Sequence, residues 1–245
     1  MKYWFGLIFY VLFTHHALGQ FFADVETGLV TGTRYNEVRV PGNEGTFFDF
    51  DDNFESNPQF FYRARVGYTF NDRHVISALF APLALKYTDG VFADDVRFNN
   101  DVFEAGSELA GRYRFNSYRL TYRYNFIVRE NFVLGAGITG KIRDAAIRLS
   151  GNGTTSEKTD LGFVPLINFY TLWSFYDRFG LLFEGDALVG PQGRAEDVFL
   201  GLTYTFNQYL TFKGGYRLLE GGADVDEVYN FTWINYASVG VLVNF

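Results

Sequence analysis

From Gln59 to Phe70 the chain changes character at every residue. Phe60, Tyr62, Ala64, Val66, Tyr68 and Phe70 fall on one side, and Phe61, Arg63, Arg65, Gly67 and Thr69 on the other. Tyr118 to Phe126 repeats the scheme, with Tyr118, Leu120, Tyr122, Tyr124 and Phe126 alternating with Arg119, Thr121, Arg123 and Asn125. Phe132 to Ile142, Val198 to Phe206 and Leu210 to Leu218 follow the same rule. A period of two puts successive side chains on opposite faces of a strand, and no helix gathers such a pattern onto one side. These segments predict an all-β chain of ten antiparallel strands, near 21–40, 58–70, 73–87, 107–127, 131–150, 159–175, 178–190, 197–207, 209–220 and 228–245. Parity slips near Asn116-Ser117 and Asp144-Ala145 read as bulges, and they leave a count of eight or twelve open.

The predicted connections alternate between tight and long. Asn71-Asp72, Val128 to Asn131, Tyr176 to Arg178 and Asn207-Gln208 are tight; Pro41 to Pro58, Thr88 to Gly106, Gly151 to Lys158, Gly190 to Asp197 and Gly221 to Glu227 are long. Short turns at one end and longer polar loops at the other are the asymmetry of an up-and-down barrel that crosses a membrane.

Composition decides between that barrel and a soluble sandwich. The 245 residues carry 29 Phe, 17 Tyr and 3 Trp, far more aromatic surface than one sandwich core takes. Mean hydropathy is nevertheless −0.05, too polar for a bundle of membrane helices. Aromatics gather at strand ends, as in Tyr68 and Phe70, Tyr124 and Phe126, Tyr204 and Phe206, or Phe231 and Trp233, where interfacial girdles belong. Aromatic faces therefore meet lipid, and the glycine, threonine and arginine faces fill the lumen. A short positive start at Lys2, an apolar run from Tyr3 to Phe13 and the small residues of Ala17-Leu18-Gly19 form a secretory signal over residues 1–19. Cleavage after Gly19 leaves residues 20–245 as a single barrel domain. The formal charge of −7 argues against nucleic acid as a partner, and the absence of cysteine excludes disulfides and thiolate metal sites.

The last stretch, Val228 to Phe245, is 18 residues without a charged side chain, yet it sets Phe231, Trp233, Val239, Val241, Val243 and Phe245 at period two, as a strand does. A final alternating strand ending on Phe245 looks like the assembly signal of bacterial outer-membrane proteins. The chain thus resembles the small outer-membrane β-barrels, the outer-membrane-protein-A-like and outer-membrane-protein-W-like group, over its whole mature length at the level of pattern. The resemblance implies location in the bacterial outer membrane, contact with its lipid, and recognition of the C-terminal strand by the barrel assembly machinery.

With the polar faces inward, Arg63, Arg65, Arg119, Arg123, Lys141, Arg143, Lys213 and Arg217 meet Asp24, Glu26, Glu184 and Asp186 inside the barrel. These twelve form an expected lumen charge network, since an Arg or Lys turned to mid-bilayer hydrocarbon costs roughly 2–4 kcal/mol. Ten strands lie near the limit at which side chains fill a barrel. The expectation is a non-enzymatic barrel with a charged, largely filled lumen, structural or passing small solutes. The alternative is an adhesive surface built on the acidic loops, with Asp49, Asp51, Asp52 and Glu55 in the first and Asp89, Asp94, Asp95, Asp101 and Glu104 in the second. The further acids Asp224, Asp226 and Glu227 lack the spacing of a calcium loop, and no cofactor or metal is expected. Outer-membrane proteases of the omptin type also have ten strands, but they use an Asp–His pair at the extracellular rim. His74, the one histidine beyond the export segment, follows the tight turn at the other end.

Overall fold

The computed structural model describes residues 19–190 and 193–245. The signal segment lies outside these residues except for Gly19, which opens the first strand. The wall is built from β1 (Gly19–Arg39), β3 (Gln59–Phe70), β4 (His74–Ala81) with β5 (Ala84–Val91), β8 (Glu108–Arg129), β9 (Phe132–Gly151), β10 (Thr154–Tyr176), β11 (Phe179–Gly190), β12 (Gly193–Thr205), β13 (Leu210–Val225) and β14 (Val228–Asn244). Each pairs antiparallel with its ring neighbours, and β14 pairs back onto β1 from Phe22↔Asn244 to Arg39↔Tyr229. The two-residue β2 (Phe48–Asp49) is a branch on β1, and β4 and β5 share one wall position, so the ring has ten members. The predicted strand over 73–87 is broken at Pro82, which cannot donate to a ladder and separates β4 from β5.

At one end all four tight turns are as predicted. At the other, only two connections are long. The expected loops 151–158, 190–197 and 221–227 are instead extensions of β9 to β14: Gly151 pairs with Thr154, Gly190 with Gly193, and Val225 with Val228. Asn152 and Gly153, both at positive φ (48° and 79°), make the two-residue turn that joins β9 to β10. With 22, 20 and 23 residues, β8, β9 and β10 are about twice as long as the 9–11 residues that a tilted strand needs to cross a bilayer. Half of each stands clear of the membrane.

No bulge lies at Asn116 or Asp144. β8 and β9 stay in register from Ala110↔Ser150 to Asn125↔Gly135, and the shift comes lower, between Asn125 and Ile127. What changes at Asn116 and Asp144 is the chemistry of the two faces. Below that level the outward residues are Tyr118, Leu120, Tyr122, Ile138 and Ile142, with Leu120 63% and Ile138 65% exposed to the surroundings. Above it the same outward face carries Arg112, Arg114, Asp144 and Arg148, and Arg114 pairs with Asp144 at 2.9 Å. The inward face turns apolar at the same height, through Tyr113, Ile147 and Leu149. The exchange of faces marks where the wall leaves lipid and enters water.

The upper interior is filled from above by the two long connections. The first folds inward as β2 and the single-turn helix α1 (Phe50–Asn53), burying Phe48, Phe50 and Phe54. Gly111 of β8 leaves the space that Phe50 occupies, for a Cβ there would lie 2.1 Å from the Phe50 ring. Phe50 stacks on Tyr87 with centroids 4.4 Å apart. The second connection contributes the hairpin β6 (Val96–Phe98) and β7 (Asp101–Phe103), whose Phe98 and Phe103 join the same cluster. Thr46 N–H donates to the Arg97 carbonyl and Asn99 N–H to that of Val40, tying the two connections together.

Candidate functional site

Alternation sends the mid-height polar side chains inward, and closure of the ring brings residues distant in sequence face to face. Arg217 on β13 forks onto Glu26 of β1 at 2.5 and 2.7 Å, and its third nitrogen reaches Asp197 of β12 at 2.6 Å. Asp197 also receives Arg63 of β3 at 2.9 Å and Arg119 of β8 at 2.5 Å. Arg119 donates to Asp186 of β11 at 2.7 Å, which accepts further bonds from Thr139 and Asn168. Glu184 of β11 takes Arg65 at 2.8 Å and Lys213 at 3.5 Å, while Lys213 reaches Asp24 at 2.8 Å and Glu26 at 3.2 Å. Arg217 is 1% exposed and Asp197 is also 1% exposed, so this is a desolvated web and not a wet rim.

Five acids (Asp24, Glu26, Glu184, Asp186, Asp197) and five bases (Arg63, Arg65, Arg119, Lys213, Arg217) thus neutralise one another across the waist. Desolvated charges are costly unless they are paired in this way. Phe199 of β12 lies beneath two of the bases, with the Lys213 ammonium 5.3 Å and the Arg217 guanidinium 5.2 Å from its ring centroid.

Nine of the twelve residues expected in the lumen network are in the web; three are elsewhere. Arg123 is stacked on the Tyr170 ring at 3.9 Å and bonds Asn125, facing the lower chamber. Arg143 pairs with Asp160 in the upper half. Lys141 is 2% exposed and has its ammonium 4.5 Å from the Phe115 centroid, with no carboxylate within 4.0 Å among the described residues. Asp197, the acid with three arginine partners, is not among the twelve. It lies at the end of the expected 190–197 loop, yet it shares the inward parity of Phe199 and alternates with Val198 and Leu200, so the extension of β12 to Gly193 turns it into the lumen.

Two chambers lie on either side of the web. The lower one, about 330 Å³, opens between the tight turns and is lined by Phe22, Arg65, Arg123 and Tyr170 among others. The upper one, about 700 Å³, is bounded by β8 to β14. A void of only about 10 Å³ beside Arg63, Ser117 and Arg119 lies in the waist itself.

The remaining candidates are local. His74 stacks on Phe70 and its Nδ1 lies 2.8 Å from the Tyr122 hydroxyl, at the tight-turn end. In the first long connection, Asp49 accepts N–H bonds from Asn36 and Asp51 and caps α1; burial pushes its carboxyl above the ordinary aspartate range. Asp51 accepts from the Thr33 hydroxyl and Asp95 from the Ala105 N–H. Among the described residues no three acidic or histidine side chains converge as a metal ion would require. Phe245 is 70% exposed at the lower rim, with its N–H bonded to the Phe21 carbonyl at 2.9 Å.

No protein-family model and no curated protein sequence matches the chain. Solved structures do. The outer membrane protease OmpT from Escherichia coli aligns at TM-score 0.54 and 11% identity, over 92% of this chain and 97% of that one. The translocator domain of the autotransporter NalP from Neisseria meningitidis aligns at TM-score 0.44 and 13% identity, over 98% and 93%. The attachment invasion locus protein Ail of Yersinia pestis aligns at 0.42 and 11%, over 92% and 99%. At 11% identity the likeness to OmpT is one of fold, and with the closed ring and its apolar outer belt it gives this chain the antiparallel barrel fold of the small outer-membrane β-barrels.

Proposed function

We propose that this chain is a non-enzymatic outer-membrane barrel whose axis is held shut at mid-height, a structural and solute-holding element and not an open pore. The observation that carries the reading is the neutral web of five acids and five bases joining opposite walls. A path through it requires several buried ion pairs to part together, and each parting exposes a charge without its partner. The non-enzymatic part is supported by the position of His74, bonded to a tyrosine at the tight-turn rim and remote from every acid of the web. Lipid contacts the apolar belt, and the assembly machinery takes the C-terminal strand ending in Phe245.

Planar-bilayer recording tests the closed axis. Wild-type protein is expected to be silent, whereas Asp197→Ala, which strands three arginines, is expected to give conducting steps. Steady steps from the wild type at low voltage would overturn the reading.

A further inference from the structure

The wall is not continuous over its whole height. β10 pairs with β9 from Thr154↔Gly151 down to Trp173↔Phe132, but with β11 only from Ile167↔Ala187 downward. Thr154 to Leu166 therefore pair on one side only, and Leu188 to Gly190 of β11 pair with β12 alone. Pro165 lies where the split begins, with no amide hydrogen for either neighbour. The split starts inside the lipid belt. Phe163 is the partner of Ile142, the last apolar residue before the faces exchange, and Phe163, Ile167 and Val189 all point outward and are exposed. Unpaired backbone at hydrocarbon depth persists only where it borders a cavity. Here that cavity is the upper chamber, which both Pro165 and Leu188 line.

The same chamber contains a cation without a counter-ion. Lys141 lines it and is 2% exposed. Its ladder partner on β8 is Arg119, a like charge whose two acids are already engaged. The chamber's other charges balance: Arg143 pairs with Asp160 and Arg194 with Glu220 at 2.6 Å, and Lys158 and Glu227 on its lining offset one another in sign. A buried ammonium lacking an anion is costly, and charged groups at membrane depth mark the sites of ligands. The volume of about 700 Å³ lies in the ordinary range for small-molecule pockets. Phe115, Val164, Pro165 and Leu188 give an apolar track from the ammonium to the split.

We propose that the upper chamber binds a single-chain amphiphile with one negative charge, its head group on the Lys141 ammonium and its chain leaving through the β10–β11 split into the outer leaflet. The site needs one anion because the web below is already neutral. The proposal rests on the closed axis, since a chamber open below would be flooded.

Protein refolded into phosphatidylcholine nanodiscs is titrated with carboxyl-labelled dodecanoate and followed by carbon NMR. Saturable binding is expected, displaced by dodecyl phosphate but not by uncharged dodecanol. Lys141→Gln should weaken it at least tenfold and Lys141→Arg should keep it. Equal binding by Lys141→Gln, no saturable binding by wild type, or equal binding of dodecanol would each overturn the assignment. The route is tested separately in this cysteine-free chain. Continued register would set Pro165 opposite Val189, so the pair Pro165→Cys and Val189→Cys should, once oxidised, slow dodecanoate exchange at least tenfold, reversibly with reductant; an unchanged rate would overturn the lateral route. Conductance of the same wild-type preparation identifies failure of the closed axis, independently of either result.

Discussion

Arg65 and Glu184 are as far apart around the wall as two residues of this barrel can be, five positions either way round a ring of ten, and they meet at 2.8 Å. A salt bridge across a full diameter fixes the separation of opposite walls. Neither residue's strand touches the other's, so the contact exists only when the ring is closed.

Glu184→Ala should therefore lower the temperature at which the folded electrophoretic band is lost, by the equivalent of about 3–5 kcal/mol, because Arg65 and Lys213 are left desolvated and short of an anion. Asp51→Ala, on an exposed loop, should shift it by less than about 1 kcal/mol. The double variant Arg65→Ala with Glu184→Ala should cost clearly less than the two single changes added together. Strict additivity would mean that the pair is not coupled.

Asp197 offers a sharper comparison. Asp197→Asn keeps the shape and one acceptor oxygen but removes the charge shared by Arg63, Arg119 and Arg217. Its melting should fall at least as far as that of Glu184→Ala, read by the same band shift. A loss comparable with Asp51→Ala would show the arginines relaxing into water.

Asp49 gives a pH dependence. Burial raises its folded-state pKa above that of the unfolded chain, so its contribution to loop docking is complete at low pH and is lost as pH rises through the raised value. Asp49→Asn keeps an acceptor for the Asn36 and Asp51 N–H groups and has no proton to lose. Proteolytic cleavage within 41–58 should accelerate with pH in the wild type and less steeply in Asp49→Asn. Asp49→Ala, which removes the cap, should be cut faster at every pH, at a cost of about 1 kcal/mol. Parallel slopes for wild type and Asp49→Asn would assign the dependence to other acids.

Topology and assembly are open to labelling. An epitope at Asn152-Gly153 should bind antibody on intact cells, and one at Asn207-Gln208 only after permeabilisation; the reverse result would invert the barrel. Deleting Phe245 should lower the yield of heat-modifiable protein, whereas a deletion of the same size at the Asn152 turn should not.

The lower half of the barrel was legible from alternation alone, because there the two faces meet lipid and polar lumen and differ at every residue. The upper half misled in a consistent way. Tyr113 and Phe115 face inward against the Phe48–Phe50 cluster, while Arg112 and Arg114 face water, so an unbroken register looked like a bulge. Charged turns such as Gly190 to Asp197 looked like loops because polar outer faces are ordinary above the membrane. Period two gave the face of each charge but neither its height nor its place round the ring. Hence Lys141 could be assigned inward, but its lack of an acid could not be read, and Arg65 with Glu184 became partners only once ten strands were in order.

The exchange of faces at Asn116 and Asp144 also fixes how deep the barrel sits. Sinking by one ladder pair would draw Arg114 and Asp144 into hydrocarbon; rising by one would lift Tyr118 and Ile142 into water. Both displacements are opposed on the same two strands, so β8 and β9 act as a waterline that holds the split beside Pro165 level with the outer leaflet.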